Sequence, residues 1–296
     1  MKNLEKEMEK FAELVIGKLR TLYPNLEFRY QDVRKNNGLI LHGIILKDDK
    51  QIAPNIYLDD SFSEYKNGRS LDMIVSHISE IYEQSRKIEM VIDFTDYEKV
   101  KKLIRFKLVN TERNAGYLAD IPHDEFLDLS KIYFLCLKDS EDGMATTVIT
   151  NQFLEMWKKD KEEIALQAVE NVKKEISFMN MKEILKEIAG ISIMEQEDCP
   201  LYVLTNKARV YGAALMGCED MLKYISHTMQ KESFIILPSS IHEVLILFDE
   251  NDSDTDFSAL RALVADVNET QVALDEILSY SIYKYEIGKG ISIAES

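Results

Sequence analysis

Residues 232–250 read ESFIILPSSIHEVLILFDE, two short apolar runs flanking the polar Pro238-Ser239-Ser240. Each run is too short for a comfortable helix, is rich in Ile, Leu and Val, and borders a proline that cannot donate to a sheet ladder. The pattern predicts two strands joined by a tight turn at residues 238–240, with Ile235 and Leu245 on neighbouring strands. If residues 241–248 are extended, Ile241, Glu243, Leu245 and Leu247 share one face, while His242, Val244, Ile246 and Phe248 share the other. Each face then carries one polar residue at its turn end, to be solvated or held by hydrogen bonds.

The rest of the chain alternates between the same two periods. Leu4, Met8, Phe11, Val15 and Leu19 recur every three or four residues, an amphipathic helix ending near Tyr23-Pro24. Three apolar stretches then follow: Leu26, Phe28 and Tyr30 in alternation, residues 39–46, and residues 51–58. A turn at Asn36-Asn37-Gly38 and a polar segment at 47–50 separate them, giving a three-stranded meander whose last strand holds Pro54 and so belongs at an edge or bulge. Ser70 is placed to cap a helix carrying Ile74, Val75, Ile78 and Tyr82. Thr95-Asp96-Tyr97-Glu98 has the form of a capping box opening a helix through Ile104. Residues 105–128 are ambiguous, with a strand near 106–109 and a loop through Pro122.

Two later segments each read strand, turn, strand, helix. One runs from Ile132 through Thr150 to a helix with Phe153, Trp157 and Ile164. The other runs from Leu201 through residues 210–215 to a helix with Leu222 and Ile225. Between them Asn180-x-x-Glu183 caps a helix stopping at Gly190. A helix with Phe257, Leu260 and Val264 and a strand at 282–285 close the chain. The expected fold is α+β, mainly antiparallel hairpins with covering helices after Thr150 and Gly217. It comprises an N-terminal α-β-β-β-α unit over residues 1–95 and a larger α+β unit over residues 96–296.

Composition narrows the functional classes. The chain has 296 residues, 46% of them hydrophobic, ample for a packed core. The apolar runs are far shorter than the ~20 residues that span a bilayer, and MKNLEKEMEK is too charged for a secretory segment, so a cytoplasmic protein is expected. The formal charge is -16, and residues 191–296 hold 18 acidic against 7 basic side chains, -11 of that total. This disfavours nucleic acid and anionic membranes as partners and favours a basic protein. Cys136, Cys199 and Cys218 are odd in number and form no CxxC pair, which suits reduced thiols.

Catalytic signatures are lacking. After His242 the fourth position is Ile246, so HExxH fails; Asp252-Ser253-Asp254-Thr255-Asp256 lacks the glycine and glutamate a calcium loop needs, having Phe257 and Leu263 there. No GxGxxG, Walker A or GxSxG occurs, and Ser240 and His242 lie about 6.6 Å apart along a strand. No cofactor and no metal are expected. The candidate functional patch is Asn206, Ser239, Ser240, His242 and Glu243. Two readings stand: a non-catalytic interaction factor acting through the acidic C-terminal third, or a hydrolase-like enzyme around Ser239, His242 and Glu243.

Leu204-Thr205-Asn206, Tyr211-Gly212-Ala213-Ala214, residues 237–243, Val267-Asn268, Ile56-Tyr57-Leu58, Pro122-His123, Asp128-Leu129 and Ile149-Thr150-Asn151 carry a resemblance over most of the chain. On these stretches the protein resembles an uncharacterised bacterial family from Gram-positive gut anaerobes, often encoded on mobile elements. The resemblance implies a fold group and a genetic context, with no reaction attached.

Overall fold

The computed structural model describes residues 2–47, 55–86, 92–140, 143–189, 199–248 and 255–294. The chain forms two compact units, Met1–Val91 and Ile92–Ser296.

In the first unit, helix α1 (Lys2–Leu22) precedes strands β1 (Glu27–Arg34), β2 (Ile40–Lys47) and β3 (Asn55–Tyr57), then helices α2 (Asp59–Lys66) and α3 (Leu71–Arg86). The strands pair antiparallel in the order β1-β2-β3, so the third is at an edge; Pro54 and residues 48–50 lie outside the described residues. The Asn36-Asn37-Gly38 turn adopts left-handed backbone at Asn37 (φ 57°) and Gly38 (φ 75°). Met8, Phe11, Val15 and Leu19 are buried together with Ile44, Leu46, Ile56, Ile74, Ile78 and Tyr82, so one sheet face is sealed by α1 and α3. Ser70 Oγ accepts the Met73 N–H at 3.3 Å, the expected cap of α3. Helix α2 has no counterpart in the sequence reading. Its Asp59 carboxylate takes both the backbone N–H and Nδ1 of His42, each at 2.8 Å, and ties α2 to β2.

The second unit opens with α4 (Tyr97–Val100), where Asp96 caps by accepting the Glu98 N–H at 3.0 Å. The helix expected to reach Ile104 stops after one turn and passes through a 3₁₀ turn, Lys101–Leu103, into β4 (Ile104–Asn110). The reason lies in Asn171, whose buried amide donates to the carbonyls of Lys101 and Ile104 at 2.8 and 2.9 Å, while Ile104, Phe106 and Leu108 bury one strand face. There follow α5 (Ala115–Leu118), β5 (His123–Phe126), β6 (Leu129–Ser140), β7 (Gly143–Val148), α6 (Asn151–Trp157), α7 (Lys161–Val172), β8 (Ile176–Asn180), α8 (Met181–Ala189) and β9 (Leu201–Asn206). The chain continues as α9 (Glu219–Met229), β10 (Ser233–Ser240), β11 (Glu243–Leu247), α10 (Phe257–Thr270), β12 (Tyr283–Glu286) and β13 (Gly290–Ile293).

Strands β4, β6, β5 and β7 form a four-stranded sheet, and six strands pair in the order β13-β12-β10-β11-β9-β8; every pair is antiparallel. The fold is therefore α+β. The segment β6-β7-α6 has the strand-turn-strand-helix form. The second such segment does not: residues 210–215, expected as a strand, belong to a loop and a buried 3₁₀ stretch, Gly212–Gly217. Strand β9 already pairs on both sides, with β11 and β8, and offers no free edge to a following strand.

Ile235 pairs with Leu247 and Leu237 with Leu245, which puts Ile235 and Leu245 on neighbouring strands. The turn sits later than expected, at Ile241-His242, with Ser239 bulged out of register. Pro238 is accommodated inside β10 because β12 pairs with β10 only as far as Ile236, leaving one edge of the strand open beyond it. Both faces of this hairpin are buried. Ile236, Val244 and Ile246 join the main core with Phe106, Tyr133, Leu204, Leu222 and Ile225. Ile235 and Leu237, with Leu245 and Leu247 packed alongside, instead face Val264 and Leu260 of α10.

Asp128 joins the β5–β6 connection to the segment before β12. Its Oδ2 accepts from Ser279 Oγ (2.6 Å) and Ser281 Oγ (3.0 Å), and its Oδ1 from the Tyr283 hydroxyl (2.8 Å). Buried Asn268 donates to the Ser279 carbonyl at 2.9 Å. Asp128→Ala would orphan three hydroxyls, and urea unfolding should show a loss of about 2–4 kcal/mol, with Asp128→Asn losing less. Alkaline pH should also destabilise the protein. Burial pushes the Cys218 thiol up from 9.0 to about 12, and burial with a neighbouring carboxylate raises the phenols of Tyr133 and Tyr283. These groups ionise first in the unfolded chain, so the stability from keeping them neutral is complete below pH 9 and drains away as pH rises toward 12. The urea midpoint should fall as pH rises from about 9 to 10.5, less steeply in Cys218→Ala.

Candidate functional site

The β10–β11 turn is closed by its own polar groups. Ser240 Oγ accepts the His242 backbone N–H at 3.0 Å, Ser239 Oγ donates to Glu243 Oε1 at 3.4 Å, and the Ile241 N–H donates to the Glu276 carbonyl at 2.8 Å. Ile241 itself is a core residue, so the turn is anchored from below by an apolar side chain.

His242 is fixed at three points. Its Nδ1 accepts the Tyr211 N–H at 3.2 Å, its Nε2 lies 3.4 Å from Glu276 Oε1, and its carbonyl accepts from Thr205 Oγ1 at 2.8 Å. An Nδ1 that accepts leaves the ring proton on Nε2, which donates toward the Glu276 carboxylate. The imidazole also stacks on the Tyr211 ring, centroids 5.7 Å apart and planes 16° from parallel.

Asn206 ends β9 and is buried. Its amide donates to the Val210 carbonyl at 2.7 Å, and its Oδ1 accepts the Val210 N–H at 3.2 Å, closing the loop 207–211 as a backbone pair would. That loop is conformationally costly, with Arg209 at φ 54° and Tyr211 at φ 58°, the left-handed region that side chains with a Cβ disfavour. Gly212 follows because there is no room for more: a Cβ there would lie 2.2 Å from Thr205 Oγ1 and 2.6 Å from both the Asn206 nitrogen and the His242 carbonyl oxygen.

The expected patch is thus only partly one site. Asn206 and His242 converge on the 207–211 loop, through Val210 and Tyr211. Ser240 meets His242 through its backbone, and Ser239 and Glu243 bond each other. Thr205, Tyr211 and Glu276 belong to the arrangement and were not singled out from the sequence. Thr205 and Tyr211 stand in stretches that carry the family resemblance, but Glu276 has no local signal because it arrives from 34 residues along the chain.

Beside this loop lies a cavity of about 310 Å³ lined by Asn206, Val210, Tyr211, Phe134, Cys136 and Arg105 among others. Arg105 donates from Nε and Nη2 to Glu175 Oε1 at 3.0 and 2.5 Å, and from Nη1 to the carbonyls of Lys102 and Ile104 at 2.7 and 3.0 Å. Lys107 Nζ sits 4.7 Å from the Tyr211 ring centroid. Among the described residues no group of three or more His, Cys, Asp or Glu is arranged to hold a metal ion, and Cys136, Cys199 and Cys218 form no disulfide. Most of the acidic loop before α10 lies outside the described residues; within them, Asp256 caps α10 by accepting the Ala259 N–H at 2.9 Å. No helix among the described residues is long and apolar enough to cross a membrane.

A family profile matches residues 8–287, nearly the whole chain including every residue of this site. The chain belongs to DUF5688, a family of unknown function. Comparison with curated proteins and with solved structures finds no match.

Gly212→Ala tests that geometry directly. The added methyl must displace backbone on both sides, so chemical denaturation should report a loss above about 3 kcal/mol, whereas alanine at exposed Gly17 in α1 should leave stability unchanged or slightly raised.

Proposed function

We propose that this protein is a non-catalytic, cytoplasmic protein-interaction factor, an accessory component of bacterial mobile elements, whose acidic C-terminal third receives a basic partner. The observation that carries the reading is an exposed flank of α10. Phe257, Leu260 and Val264 turn inward onto the six-stranded sheet, yet Leu263 and Val267, one turn apart, remain 55% and 36% exposed. Exposed Asp266 stands beside Leu263, and Asp256 at the helix start is exposed as well. A helix whose apolar stripe continues from its buried face onto an exposed flank bordered by carboxylates suits an amphipathic segment that brings its own apolar residues and Lys or Arg.

The hydrolase reading around Ser239, His242 and Glu243 draws less support. The imidazole nitrogens are turned to the Tyr211 N–H and the Glu276 carboxylate, and the serine hydroxyls meet a backbone N–H and Glu243. A nucleophilic serine needs its hydroxyl within reach of the base.

The test is affinity capture on the immobilised full chain at about 0.05 M and 0.5 M salt. A specific basic protein should be enriched at low salt, lost at high salt, and lost at both from Leu263→Ser/Val267→Ser. Equal capture by that variant at wild-type stability, or no partner from several lysates, would sink the reading.

A further inference from the structure

The cavity beside the 207–211 loop has a chemistry that the surface helix does not share. Its walls are mostly apolar: Leu103, Phe106, Phe134, Leu137, Met144 and Val172 contribute, with the Tyr211 ring at one side. A volume of about 310 Å³ is at the small end of sites that enclose organic ligands. At the polar end Arg105 and Glu175 neutralise one another, so a charged ligand meets no unpaired counter-charge there. Both guanidinium bonds to Glu175 converge on Oε1. The second carboxylate oxygen is then left to accept from a ligand N–H or O–H.

The wall on the loop side is built at a cost. Two left-handed non-glycine residues, Arg209 and Tyr211, are held by the Asn206 clamp and by His242, and Val210 and Tyr211 are thereby set against the cavity. Such strain persists where the surroundings over-determine it, and it gathers at binding sites. The Lys207 N–H donates to the Glu175 carbonyl at 2.9 Å, which links the same loop to the polar end.

We infer that this cavity binds a small, uncharged, largely aromatic or aliphatic molecule bearing one hydrogen-bond donor, with the donor directed to Glu175 and the body against Phe134, Met144 and Tyr211. The half-buried Cys136 thiol lines the same space and reports on its occupancy.

N-phenyl-1-naphthylamine is the probe: neutral, aromatic and carrying one N–H. Added to the full chain it should show a saturable fluorescence rise with one site per chain. Its sulfonated analogue 1-anilinonaphthalene-8-sulfonate should bind at least about tenfold more weakly, because the lining guanidinium, Arg105, is already paired with Glu175. Cys136→Trp should fill the cavity and abolish the signal at unchanged circular dichroism. If that variant does not fold, the wild-type chain still decides: saturating naphthylamine should slow N-ethylmaleimide labelling of Cys136 severalfold, read by peptide mass, and leave half-buried Cys199 unaffected. No saturable binding, equal or tighter binding of the sulfonate, undiminished binding in a folded Cys136→Trp, or Cys136 labelling indifferent to the probe would each overturn the assignment.

Discussion

Burial of both faces of one hairpin constrains everything around it. Strands β10 and β11 are apolar throughout residues 234–238 and 244–247, so the sheet they centre needs a cover on each side. Val244 and Ile246 face the core shared with the four-stranded sheet, while Leu245 and Leu247 face α10. At about 25 cal/mol per Å² of apolar surface removed from water, an uncovered face would forfeit several kcal/mol. The same demand drives the polar residues Ser239, Ser240, His242 and Glu243 to the turn end. There they satisfy the backbone and one another, and they position the neighbouring loop.

The strands of this hairpin were legible because short β-branched runs bounded by turn residues have few other uses. The turn was misplaced by two residues because Pro238 was read as a strand breaker, and that holds only where both strand edges are paired. Residues 210–215 were misread for a related reason: apolar content argues burial, but whether buried chain is strand depends on a free edge, and β9 has none. Strand β8 went unseen because Ser177 and Asn180 dilute its pattern and it follows α7 after a single 3₁₀ turn. The helices with Met8, Phe11 and Val15, with Ile74 and Ile78, and with Leu260 and Val264 repeat at 3.6-residue spacing over enough turns to be unambiguous.

At the candidate site, sequence reading located groups but not their roles. Asn206 and His242 were named because polar residues beside apolar runs stand out. Their common target, the strained loop carrying Val210 and Tyr211, has no local signature, since left-handed backbone at Arg209 or Tyr211 is imposed by tertiary contacts rather than by glycine. Glu276 is invisible for the same reason: its pairing with His242 exists only once α10 has folded back across the sheet.

The strand order has a consequence for how the chain is made. Strand β10 lies between β11, which follows it at once, and β12, which ends at Glu286. On a ribosome the hairpin emerges some forty residues before its second neighbour, so the edge of β10 from Ser233 to Ile236 is exposed, apolar and unpaired throughout that interval. A strand buried in the middle of the finished sheet is therefore an adhesive segment of the nascent chain, and C-terminal truncations that remove β12 leave it so permanently.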